Sequence, residues 1–195
     1  MTSQKTRAIT VAVAMVCCFA VSNKLAAQTS PIITYTASGT FASTPTSGSD
    51  TLKLAGEPFS VTVVAPASSN PYEHGPNWAA FDKLKLTGTV HSGLLGATPV
   101  TIDSSQASII QAFDPNQYDL FTMEAPINVV GIALTIKAVI VMPFGTFSNP
   151  LLHPFATPIT LAPANATLTY SDSTATTVLA IQTGTLAATA PGGGQ

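Results

Sequence analysis

The sequence predicts an all-β chain, an antiparallel β-sandwich or jelly roll of about ten short strands behind a signal peptide. Three observations carry this. Apolar residues recur at every second position in one segment after another, the spacing that lines one face of a strand. The intervening positions are mostly Thr and Ser, so hydroxyls rather than charges form the wet face. Turn signals built on Pro, Gly and Ser return roughly every 8 to 12 residues. With 46% hydrophobic and only 8% charged residues, the chain has the composition of a packed domain and not of a solvated, disordered one.

The N-terminus reads Lys5 and Arg7, an apolar segment from Ala8 to Val21, then Ser22-Asn23-Lys24-Leu25-Ala26-Ala27. A basic head, a short apolar middle and a small-residue exit make a secretory signal peptide, with cleavage expected after Ala27. Neither Cys17 nor Cys18 has the small preceding residue that a lipidation site would need. Residues 28–190 are then expected to form a single β-sandwich domain and residues 191–195 a frayed tail. Both cysteines leave with the signal, so the mature chain has no disulfide and no thiolate ligand. Lys53, Lys83, Lys85 and Lys137 remain against nine acids, a formal charge of −5 without a single arginine. That balance gives no footprint for nucleic acid.

The first strand places Ile33, Tyr35, Ala37, Gly39 and Phe41 on one face and Thr34, Thr36, Ser38 and Thr40 on the other. A Pro/Ser/Gly turn from Thr44 to Ser49 ends it, and Leu52 and Leu54 open a short strand that Gly56 breaks. Phe59, Val61, Val63 and Ala65 point inward on the next. The stretch 67–80 reads as a loop finishing in a helical turn over Trp78 to Asp82. Beyond it, Leu84, Leu86 and Val90 alternate with a polar face of Lys83, Lys85, Thr87, Thr89 and His91. Short strands follow at Val100–Ile102, Ser108–Phe113 and Tyr118–Glu124, the latter two with apolar residues on both faces and therefore no readable register.

Pro126 to Pro143 is the longest apolar run after the signal. Val130, Ile132, Leu134, Ile136, Ala138, Ile140 and Met142 share one face, which predicts a strand near the middle of a sheet with a bend or bulge at Gly131. As a membrane helix the run is too short and contains Asn128 and Lys137. The proline-rich stretch 143–158, with Phe144, Phe147 and Phe155, is expected to cap an open end of the core. Strands return at Ile159–Leu161, Leu168–Tyr170 and Thr177–Leu186.

Two clusters invite chemistry. Tyr72, His74 and Trp78 place aromatic rings and a polar group on one loop, the equipment for stacking on sugar faces. The competing reading packs Trp78 and Phe81 onto the core to pin the loop. Asp114, Asn116 and Asp119 could offer oxygens to a metal ion, but calcium takes six to eight ligands and an Asx-type turn explains the same residues. His74, His91 and His153 show no short ligand spacing. No nucleophile elbow, P-loop or dinucleotide fingerprint is present, and Asn165-Ala166-Thr167 matches a glycosylation acceptor as any Thr-rich chain will by chance.

The sequence therefore leads to the expectation of a non-catalytic, secreted, periplasmic or cell-surface protein with no cofactor, acting in extracellular structure or adhesion. The alternative is a carbohydrate-binding module using Tyr72, His74 and Trp78. Its partners would be a glycan or another surface protein, with no nucleic acid and no membrane span after signal cleavage.

Overall fold

The computed structural model describes residues 32–190 apart from 68, 97, 114–117, 130, 148–156 and 172–174. Residues 1–31, on which the expected signal peptide falls, and residues 191–195, the expected tail, lie outside the described residues. Among the described residues ten strands follow one another: β1 (Ile32–Phe41), β2 (Pro58–Pro66), β3 (Glu73–Gly75), β4 (Trp78–Val90), β5 (Val100–Phe113), β6 (Asp119–Val129), β7 (Ile132–Met142), β8 (Ile159–Leu161), β9 (Ala166–Ser171) and β10 (Thr176–Thr189). Eight of them, β1-β2-β4-β5-β6-β7-β9-β10, pair antiparallel in that order, and β10 returns to pair with β1 from Thr34↔Thr189 to Phe41↔Ile181. The architecture is a closed barrel, not the sandwich or jelly roll expected. Alternation tells that one face is buried, but not whether it is buried by a second sheet or by the far wall of the same sheet. The β1–β10 ladder decides, and it joins the two ends of the domain. Pairing of β1 with β10 removes the two terminal edges that an open sheet of these strands would have.

The alternation itself holds. Ile33, Tyr35, Ala37 and Phe41 on β1, and Phe59, Val63 and Ala65 on β2, are buried inside the barrel. Outward hydroxyls meet across strands, with Thr36 Oγ1 3.3 Å from Thr62 Oγ1 and Thr40 Oγ1 3.0 Å from Thr183 Oγ1. The exposed pairs Lys85–Asp103 and Lys137–Glu124 add little in water.

Strand lengths depart from expectation. Val100–Ile102 and Ser108–Phe113 are one 14-residue strand, and the expected helical turn at Trp78–Asp82 is the start of β4. Two bulges make these long strands compatible with a barrel. The register slips between Phe81 and Leu84, where Lys83 is left-handed at φ 55, and again between Leu84 and Leu86. Phe81 and Leu84, three residues apart, therefore both point inward, as do Ala107 opposite Leu84 and Ser104 opposite Leu86. The same ladder settles the register that the sequence left open: Ile109 and Gln111 face the interior.

The Pro126–Pro143 run is not one strand. Val129 pairs with Ile132, so the expected bend at Gly131 is a two-residue hairpin turn, with Gly131 at φ 82 and its N–H donated to Asn128 Oδ1 at 2.8 Å. From Ile132 onward the predicted face is kept. Pro126 sits within β6 beyond Glu124, where the ladder to β5 has already stopped. Between Val100–Ala107 and Ala125–Val129 the wall therefore carries no β5–β6 pairing.

Leu52 and Leu54 form no strand. Both are buried, and they close one end of the barrel from the loop joining β1 to β2. At the opposite end, where β1 and β6 begin, Phe147 is buried against the core as a capping residue, whereas Phe144 is exposed. Phe155 lies outside the described residues. The two ends are named below by Leu52 and Asp119.

Candidate functional site

The Asp119 end carries the residues singled out from the sequence. β3 and β4 form a hairpin around Pro76-Asn77, with His74 opposite Ala79, Gly75 opposite Trp78, and the Tyr72 N–H bonded to the Ala80 carbonyl at 2.9 Å. The indole of Trp78 lies over Gly75, where a Cβ would come within 2.9 Å of Cδ1, so a larger residue there would push the indole aside. Alternation along β3 puts Tyr72 and His74 on one face, and Glu73, Gly75 and the cross-strand Trp78 on the other. Tyr72 and His74 are exposed and Trp78 is half-buried. The structure thus brings Tyr72 and His74 together and turns Trp78 away from them.

Sequence reading missed the remaining rim. Seven large hydrophobics are exposed among the described residues, and four of them, Ile32, Tyr72 (57%), Tyr118 and Phe144 (64%), stand at this end. Phe144 sits in the turn Pro143-Phe144-Gly145-Thr146, closed by the Thr146 N–H and Oγ1 on the Pro143 carbonyl. The Pro and Gly on either side of Phe144 were the available signal: a turn tip is exposed whatever residue occupies it.

Beneath the rim lies a buried polar set. Gln111 Nε2 donates to the Tyr35 hydroxyl at 3.3 Å, and Asp119 Oδ2 accepts the Phe147 N–H at 2.7 Å. Gln111 Oε1 and Asp119 Oδ1 are buried without a hydrogen-bond partner. Of the three residues proposed for a metal, Asp119 is turned into the barrel, and Asp114 and Asn116 lie outside the described residues. No group of three or more His, Cys, Asp or Glu that could hold a metal occurs among the described residues. His91 follows β4 and His153 lies outside the described residues. Asp119→Ala is expected to lower stability by about 1–3 kcal/mol, because the buried Phe147 N–H loses its carboxylate acceptor. Asp119→Asn keeps that acceptor and is expected to cost less than half as much, as read from urea denaturation midpoints.

The Leu52 end is closed by a loop held through side chains and through a short backbone bridge, Ser47 to Val178, with the Gly93 N–H on the Lys53 carbonyl. Asp50 accepts the N–H groups of Leu54 at 3.0 Å and Ala55 at 2.8 Å. Tyr170, inward on β9, donates its hydroxyl to Asp50 Oδ1 at 2.9 Å. Ser92 Oγ donates to the Leu52 carbonyl at 2.5 Å and Thr177 Oγ1 to the Ser49 carbonyl at 2.7 Å. Behind Leu52 and Leu54 lies a cavity of about 50 Å³ with apolar walls. No protein-family model, curated protein or solved structure matches this chain.

Proposed function

We propose that this chain is an exported, non-catalytic barrel acting in cell-surface or extracellular structure or adhesion, with the aromatic rim of the Asp119 end making the contacts. The observation that carries the reading is that the three aromatic residues among the exposed large hydrophobics, Tyr72, Tyr118 and Phe144, stand with Ile32 at one end of the barrel, whereas the exposed hydrophobics at the other end, Leu94, Leu95 and Ile132, are aliphatic. Exposed large apolar groups of this kind mark surfaces that meet a partner. Export rests on the pattern of residues 5–27. An apolar interior with Thr and Ser outward is the reverse of the pattern in a membrane-spanning barrel, which supports a water-facing outer wall.

Carbohydrate binding is the second reading, favoured by one observation: Tyr72 and His74 share an exposed face, a ring beside a polar group. Both readings are tested by retention of the protein on plates coated with polysaccharides or with cell-envelope proteins. The wild type is expected to bind one class of coat, and Tyr72→Ser/Phe144→Ser to lose at least tenfold with unchanged circular dichroism. Retention on polysaccharide, with a saturable shift of Trp78 emission from the same hairpin, selects the second reading. A wild type that no coat retains, or a rim variant that binds as well as wild type, rejects both.

A further inference from the structure

We propose that the Leu52 end of the barrel is a binding site for an uncharged aliphatic chain of medium length, with the loop between β1 and β2 as its lid. The site is independent of the rim at the other end. Its walls are apolar on every side, with Phe41, Leu86, Ile127, Ile136, Ala138 and Leu168 among them, and no charged residue lines it. Protein interiors are packed to crystal density, and a void forfeits the contacts of every atom around it. Here the void is kept by sequence: Ala138 stands between Ile136 and Ile140 on the inward row of β7, and Ile136, Ala138 and Leu168 remain only half-buried although they point inward. A space so apolar offers water no partners.

The closed cavity is too small for more than a few carbons. Displacing the isobutyl groups of Leu52 and Leu54 would free room for about eight carbons more, in an interior of the width at which small barrels hold one small ligand. Two features make that displacement feasible. The lid is tied down by side-chain bonds from Tyr170, Ser92 and Thr177 and by isolated backbone bonds, an antiparallel bridge between Ser47 and Val178 and the Gly93 N–H on the Lys53 carbonyl, rather than by a continuous strand ladder, and it contains Lys53 at φ 51, a left-handed conformation costly for a non-glycine residue. The wall beside it has no β5–β6 pairing past Ser108↔Glu124, and Ile102, Ile127 and Val129 line the cavity along that stretch. With no cation in the lining, a carboxylate would enter without compensation, so the ligand is uncharged.

The full chain is titrated with 1-octanol and with octanoate, and methyl resonances are followed by NMR. Octanol is expected to give saturable shifts at Leu52, Leu54, Ile136 and Leu168, with octanoate at least tenfold weaker. Ala138→Leu fills the void and is expected to abolish the shifts while the barrel stays folded. Tyr170→Phe removes the tie to Asp50 and is expected to tighten octanol severalfold, because less of the binding free energy goes into opening the lid. Binding seen only in Tyr170→Phe still supports a latched site. The proposal is overturned if neither wild type nor Tyr170→Phe gives saturable shifts, if Ala138→Leu binds octanol as well as wild type, or if octanoate binds as tightly as octanol.

Discussion

Alanine at Gly39 is expected to cost more than about 3 kcal/mol, the upper end of what overpacking does, and to leave the barrel largely unfolded in mild urea. Gly39 on β1 faces Gly184 on β10 across the ladder that closes the barrel. A Cβ on Gly39 would overlap the Thr183 carbonyl oxygen and stand 2.8 Å from the Gly184 Cα; one on Gly184 would overlap the Ser38 carbonyl. These obstacles are backbone atoms of the paired strand, so no rotamer change relieves them. Next to this pair the register slips between Thr40 and Phe41, and Phe41 stacks on Phe59 with ring centroids 4.7 Å apart. Backbones that approach this closely let the strands coil sharply at the point where the sheet meets itself. Gly131 makes the control. It has φ 82 and open space around it, so Gly131→Ala meets only the left-handed penalty of about 1–2 kcal/mol. Urea midpoints compare the two, and a Gly39→Ala variant within about 0.5 kcal/mol of wild type would show that the closing ladder tolerates a side chain.

The inward faces of β1, β2 and the second half of β4 were legible because a period of two survives any arrangement that buries one face. Closure was not. It depends on Thr34 finding Thr189, and both residues look like ordinary solvent-facing threonines in sequence. The long runs misled in opposite directions. At Gly131 a tight turn keeps the apolar alternation from Ile132 onward, so a hairpin resembles a bent strand. In β4 and β5, bulges at Lys83 and between Ser104 and Ala107 shift the alternation, so one strand resembles two. At the candidate sites, Tyr72 and His74 could be read as a pair because they are two residues apart on one strand. Leu52 and Leu54 have the same spacing but sit in a loop, where spacing fixes no face. The cavity was invisible, since Ala138, Leu168 and Leu52 meet only after the barrel has closed.

Phe121→Ala is expected to cost about 3–5 kcal/mol, about a fifth or more of what holds a typical domain together. Phe121 is fully buried on the inner face of β6, between Gln111 of β5 and Ile140 of β7. Its ring lies 5.0 Å from that of Tyr35 across the barrel and 6.4 Å from that of Phe147 in the cap. Truncation opens a cavity that the hydrogen-bonded walls cannot collapse to fill, and it removes both aromatic contacts, worth about 0.5–1.5 kcal/mol each beyond their area. Phe144→Ala, on the same cap but exposed, is expected to stay within about 0.5 kcal/mol of wild type. The contrast separates holding the cap from using it. Phe121 steadies Phe147, whose N–H is fixed by Asp119, and Phe147 in turn anchors the turn that presents Phe144. A double-mutant cycle of Phe121→Ala with Phe147→Ala should therefore be strongly non-additive, by at least about 0.5 kcal/mol, while Phe121→Ala with Phe144→Ala should add. Equal additivity in both cycles would show that the cap is held by contacts other than the Phe121–Phe147 pair.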